Sequence, residues 1–319
     1  MKKNLTKKLM LSVLTLAFAV VSLGASTFAW FTLSKDAKIN AFDMTVKAGS
    51  GIEMRLVSYD KGTDDKYKVS DWYTSELPTT VVEEFVKSTE RLDAVTAKCT
   101  DDNKLDYIVN KDGSTPNSTF IAGGSYVAFK VQFRLSNASD KASYKLELND
   151  YTLATKGSVN EWVSNIDYVG KDGNAEDYKV SSTHKYYVSD AARLAIKVTG
   201  GNQFIYQNTD QTGHNEWTTG QPTTNNAAVN YYNAITYGTD NDIKPEELAK
   251  APQYATNTLP AGGQELGSVG QLLDDAEYAL ELTVFVWIEG WDGECMNAIF
   301  AQTLTTALSF ELPDAGKIQ

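Results

Sequence analysis

At 319 residues with 29 basic and 41 acidic side chains, a formal charge of −12, the chain carries the wrong sign to hold nucleic acid or an anionic lipid surface. It is long enough to bury a core without covalent staples, and two cysteines in all exclude a disulfide-built scaffold. Seventeen tyrosines, many Thr, Val and Asn and only seven prolines suit a β-protein with polar loops.

The N-terminus comes first. Lys2, Lys3, Lys7 and Lys8 precede an uncharged run from Leu9 to Phe31 that contains Ser26-Thr27-Phe28-Ala29-Trp30-Phe31. A basic start, an apolar stretch and a small-x-small site form an export signal. Residues 1–29 are therefore read as a signal peptide cut between Ala29 and Trp30, with Thr27 at the third position back and Ala25 marking a second site. Removal takes away four lysines and no acid, moving the formal charge from −12 to −16. The same run has the length of an uncleaved membrane anchor, and on either reading the remainder lies outside the cytoplasm.

Beyond the junction, weak strands are predicted over Phe42–Val46 and Ile52–Val57, separated by the turn signal Gly49-Ser50-Gly51. A helix is predicted over Thr80–Leu92, where Val82, Phe85 and Val86 share a stripe. Strict alternation then dominates. Val127, Phe129, Val131, Phe133 and Leu135 take one face of a strand, and Lys130, Gln132 and Arg134 the other. The turn residues Asn137-Ala138-Ser139-Asp140 lead to Tyr144, Leu146 and Leu148, read as its antiparallel hairpin partner. Further alternating strands cover Ala192–Val198, Tyr278–Ile288 and Leu304–Leu312. Residues 200–267 are rich in Asn, Thr, Gln and Gly and read as a loop-rich insertion, with a short helix over Lys244–Ala249. Core strands flank this stretch, so residues 47–319 form one domain. The expected fold is an all-β, antiparallel β-sandwich, jelly-roll-like, with long polar loop insertions and one or two short helices.

Catalytic constellations are not apparent. His184 and His214 each lack a second histidine three or four residues away, so they read as loop histidines rather than zinc ligands. Gly262-Gly263-Gln264-Glu265-Leu266-Gly267 lacks the Lys-Ser/Thr ending of a phosphate loop and reads as a turn. Asp64-Asp65, Asp101-Asp102-Asn103 and Asp240-Asn241-Asp242 bear oxygen ligands that suit calcium, yet none has the spacing of a calcium loop. No cofactor is expected, with calcium left open. Trp287-Ile288-Glu289-Gly290-Trp291-Asp292-Gly293-Glu294-Cys295 combines aromatics and acids around a turn; it reads either as the closed end of the core or as an exposed sugar- or protein-binding surface. Cys99 and Cys295 form one disulfide if the fold brings them together, which spacing alone does not settle. Leu312-Pro313-Asp314-Ala315-Gly316 faintly resembles a wall-sorting signal, but no apolar span and basic tail follow it, so wall attachment through it is not expected.

Thr27-Phe28-Ala29-Trp30-Phe31, Ser34-Lys35-Asp36-Ala37 and Phe42-Asp43-Met44-Thr45-Val46 together resemble the start of the TasA/camelysin family of Gram-positive bacteria. The resemblance implies removal of the signal by a SipW-type peptidase and a jelly-roll-like domain that polymerises into extracellular, biofilm-matrix fibres. It also implies that residues 30–46 act as a donor strand, with Trp30, Phe31, Phe42, Met44 and Val46 completing a sheet of the next subunit. A strand added to an open sheet edge gains backbone hydrogen bonds and side-chain pockets. The expected partners are further copies of the chain and the peptidase, with no nucleic acid and with membrane contact only through an uncleaved N-terminal segment. The competing readings are a monomeric surface adhesin or binding module and a camelysin-like secreted metalloprotease; no catalytic residue is assigned.

Overall fold

The computed structural model describes residues 41–49, 51–86, 92–99, 104–109, 115–116, 118, 124–137, 143–157, 159, 161–163, 181, 183–208, 254, 256–270, 272, 276–290, 292, 295, 299, 302–313 and 317–318. The expected signal segment, the short helix over residues 244–249 and the acidic stretches at residues 101–103 and 240–242 lie outside them.

In chain order the strands are β1 (Ala41–Ala48), β2 (Ile52–Ser58), β3 (Ala94–Cys99), β4 (Leu105–Val109), β5 (Val127–Leu135), β6 (Ser143–Lys156), β7 (Trp162–Val163), β8 (Thr183–His184), β9 (Ala192–Val198), β10 (Gln203–Gln207), β11 (Gln264–Val269), β12 (Leu280–Glu289), β13 (Thr303–Glu311) and β14 (Lys317–Ile318). Helix α1 (Thr79–Val86) follows β2, and α2 (Val188–Ala191) precedes β9. The chain is all-β, and its two main sheets form a sandwich. The first runs β1-β13-β6-β11, with β14 continuing along β6. In the second, β10, β9, β12, β5 and β2 lie side by side, and β3 with β4 joins at the far end of β12.

Alternation along each strand builds the core between the sheets. Ile52, Met54 and Leu56 from β2, Val127, Phe129, Val131, Phe133 and Leu135 from β5, and Leu282, Val284, Val286 and Ile288 from β12 face Leu146, Leu148 and Leu153 from β6 and Leu304, Leu308 and Phe310 from β13. Phe133 and Phe310 meet edge to face across the sandwich, ring centroids 5.1 Å apart, a geometry that sets the positive edge of one ring against the negative face of the other. Helix α1 adds buried Val82, Phe85 and Val86 to this core; residues 87–91 of the helix expected over Thr80–Leu92 lie outside the described residues.

Three pairings differ from the sequence reading. The strand over Tyr144–Leu148 is not the hairpin partner of β5, because β2 and β12 occupy both edges of β5 while β6 pairs with β13 and β11 in the opposite sheet. Alternation identifies the apolar face of a strand but carries no information on its neighbour. The sheets are also mixed rather than purely antiparallel: β1 lies parallel to β13 and β3 parallel to β12. Finally, the stretch from residue 200 begins with a hairpin, since Gly200 at φ 73° turns β9 into β10 and the Val198 N–H donates to Asn202 O at 2.9 Å. Its other end, from Gln264, belongs to β11.

β12 is buried along nearly its whole length, as befits a central strand covered on both faces. Its outward residues Phe285 and Trp287 pack with Ala128, Ala195 and Ile205 beneath Val95 and Ala97 of β3, Leu105 and Ile108 of β4, Tyr126 and Tyr254. The β3–β4 hairpin thus makes a partial third layer over half of this sheet. Polar side chains occupy the other half.

Candidate functional site

Of the expected donor residues, Trp30 and Phe31 lie outside the described residues. Phe42, Met44 and Val46 lie in β1, in parallel register with Leu304, Thr306 and Leu308 of β13. In the single chain, Ala41–Ala48 lies on its own first sheet, and residues 30–40 lie outside the described residues. Among the described residues β13 is the only strand beside β1, so β1 is a sheet edge. Its C-terminal end meets a glycine joint. The Gly49 N–H donates to Phe310 O at 2.7 Å, and Gly51 has φ 93°, a left-handed conformation that glycine adopts without a Cβ clash. At the next residue the chain enters β2 in the other sheet.

A second concentration of chemistry sits under the third layer, where the acidic segment after β12 meets β9. Alternation aims Arg193 out of the core face of β9, and it is fully buried there. Its Nη1 donates to Asp190 O and Ala192 O, both at 3.0 Å, and its Nη2 pairs with Asp292, equally buried. Burial works against the guanidinium charge, but the Asp292 carboxylate, Tyr254 and Glu289 outweigh it and the net shift of Arg193 is upward. Turns place Asp292: its N–H donates to Glu289 O and its own carbonyl accepts from the Cys295 N–H, each at 3.0 Å.

Glu289, also fully buried, receives at one oxygen the Tyr254 hydroxyl at 2.7 Å and the Trp287 Nε1–H at 3.1 Å, with the Ala97 N–H at 3.5 Å. Burial pushes its carboxyl up; the Arg193 charge and the hydrogen bonds from Trp287 and Tyr254 recover only part of that shift. Burial, with the Glu289 charge, likewise raises Tyr254 well above the usual phenol range, so it keeps the proton that it donates to Glu289.

The cluster joins four parts of the fold. Helix α2 is fastened beside it: Asp190 Oδ1 accepts from Asn208 Nδ2 at 2.8 Å, the Ser189 N–H donates to Thr155 of β6 at 3.1 Å, and the Val188 N–H donates to Gln302 Oε1 at 2.9 Å. Held by these contacts, the cluster is a structural clamp. Trp287 is wholly inside it, which removes the exposed sugar-binding reading for that residue; Trp291 lies outside the described residues.

Cys99 and Cys295 are both free thiols. The disulfide left open by the sequence is not formed, and the two occupy different environments: Cys295 belongs to the core between the sheets, whereas Cys99 packs against the outer cluster. Burial, with Glu289 and Asp106 adding, pushes the Cys99 thiol up to about 12, and burial raises Cys295 further. His184 lies in β8 and His214 outside the described residues. Among the described residues no three His, Cys, Asp or Glu side chains converge on a common point for a metal, and no helix is long and apolar enough to cross a membrane.

Arg193, Tyr254 and Asp190 carry this site, and sequence reasoning did not single them out. The legible signal was Arg193 itself, a charge in the middle of the apolar run Ala192–Ile196. Comparison of the chain with family models, with curated proteins and with solved structures returns no match.

Proposed function

We propose that the chain is an exported structural protein whose subunits join into an extracellular filament by exchanging the N-terminal strand β1. The observation that supports this reading is the position of β1: a sheet edge near the N-terminus, held by a single parallel ladder to β13 and joined to the core through Gly49 and Gly51. Opening that joint moves β1 as a unit. Its vacated seat on β13 accepts the same strand from another copy, so the ladder of the monomer is reproduced between subunits. Short hinges between paired elements favour such exchange. The biofilm-matrix setting and the SipW-type peptidase belong to this proposal through the resemblance of the junction residues. Cleavage after Ala29 is the trigger, because a strand tethered in a membrane cannot reach a second molecule.

The test uses the register. Met44 and Thr306 are Cα partners on β1 and β13. In filaments of a chain starting at Trp30, the Met44→Cys/Thr306→Cys double variant should give covalent ladders after oxidation, and each single variant should not. Cross-linking confined to monomers inside filaments would overturn strand exchange, and failure of the cleaved chain to form filaments would overturn the assembly role.

A further inference from the structure

The half of the second sheet left open by the β3–β4 layer carries two aromatic side chains on a charged floor. Residues 67–73 run antiparallel along the free edge of β2, through bridges from Val57 to Val69 and from Met54 to Tyr73. This segment folds Tyr67 and Trp72 over the outer face. The Trp72 ring lies on two guanidiniums, Arg55 at 4.7 Å and Arg134 at 4.2 Å from its centroid, and remains partly exposed. Both arginines rise from the same sheet face, since Arg55 stands opposite Gln132 and Arg134 opposite Glu53. Tyr67 is 47% exposed and sits near Lys130 at 5.1 Å and Lys61 at 5.9 Å. Lys130 and Arg134 are four residues apart on β5, so the residues beneath the two rings are about 13 Å apart along the strand.

The floor between them is fixed. Arg55 donates to Gln132 Oε1 at 2.7 Å and pairs with Glu277 at 2.6 Å, Gln132 donates to Glu281 at 2.6 Å, and Arg134 pairs with Glu53 at 2.6 Å. Lys130 lies 3.7 Å from Glu281 and Lys61 pairs with Asp65 at 3.0 Å. The cations on this face are matched by acids within it, so it offers no net charge to an ionic ligand.

We propose that this face binds a neutral polysaccharide, with Trp72 and Tyr67 as two stacking platforms and the Arg134, Glu53 and Glu277 side chains facing its hydroxyls. A sugar ring has an apolar C–H face that packs on an aromatic ring and a rim of hydroxyls that both donate and accept. Flat, partly exposed aromatics beside fixed carboxylates, amides and guanidiniums complement both features. The acidic chain repels polyanions, and internal pairing of the cations leaves them no local anchor. This inference is independent of strand exchange.

Native gel electrophoresis through immobilised laminarin, dextran, mannan and soluble starch, with hyaluronate as acidic control, tests it on the chain starting at Trp30. At least one neutral polymer should retard the protein and hyaluronate should not. Trp72→Ala and Tyr67→Ala should each weaken retardation by about tenfold, the scale of losing one aromatic contact. Tyr67 is exposed enough for its removal to leave the fold intact, so it decides the matter if the Trp72 variant unfolds. The proposal is overturned if none of the neutral polymers retards the protein, if the folded variants match the parent, or if hyaluronate is preferred. Loss of self-association without loss of polymer binding would assign the face to protein contact instead.

Discussion

Tyr254 donates its hydroxyl to Glu289 across 2.7 Å and in doing so ties the polar stretch to the last outward-facing carboxylate of β12. The Trp287 indole shares the same oxygen. One buried acid thus organises contacts from β12, from β3 and from the segment preceding β11, and its protonation is linked to folding.

The folded state raises the Glu289 pKa above its ordinary value near 4.5. Between the unfolded and folded values the native protein binds more protons, so this contribution is full below about pH 4.5 and is lost as pH rises through the folded value. Glu289→Gln retains an acceptor for Tyr254 and Trp287 but cannot ionise. Denaturant unfolding across pH 4 to 8 should show the variant with a flatter profile and no loss at the upper end. Glu289→Ala should instead cost about 1–3 kcal/mol for each buried donor it strands.

Arg193 and Asp292 make the second test. Arg193→Met leaves the Asp292 carboxylate buried without its cation, which should lower stability by about 3–5 kcal/mol. Arg193→Met/Asp292→Leu removes both charges and should lie closer to the parent than the single variant does. Urea midpoints at neutral pH measure the difference.

Core and outer faces of the central strands differ less than alternation implies. Phe133→Ala, at the contact with Phe310, should cost about 3–5 kcal/mol. Glu281 is on the opposite face, where alternation alone implies a solvated side chain, but it is buried and accepts from Gln132 at 2.6 Å and Thr199 at 3.2 Å. Glu281→Ala should therefore cost about 1–3 kcal/mol, whereas Lys61→Ala, in an exposed pair, should change little. Thermal unfolding of the three variants checks this order.

Thiol chemistry gives a fourth. With Cys99 pushed up to about 12 and Cys295 buried, both should resist iodoacetamide at pH 8 in the folded protein. Mass spectrometry should find two added groups only after denaturation without reductant. A protein that accepts none under those conditions has formed the disulfide.

The sequence by itself determined the β class, the positions of the main strands and the residues that line the core, because a period of two is a local property of each strand: Val127–Leu135 and Thr303–Glu311 coincide with the alternating runs to within a residue. It also located the turn at Gly49 and Gly51. The tertiary structure decided what such a period cannot encode. It sent β5 and β6 to opposite sheets, laid β1 parallel on β13, and covered half of the outer face with β3 and β4, so that Arg193, Glu289 and Trp287 became interior while Trp72 stayed at the surface. Strand partners are chosen by edges and layers hundreds of residues apart, and a charge on the non-core face of a strand is solvated or clamped according to what folds over it.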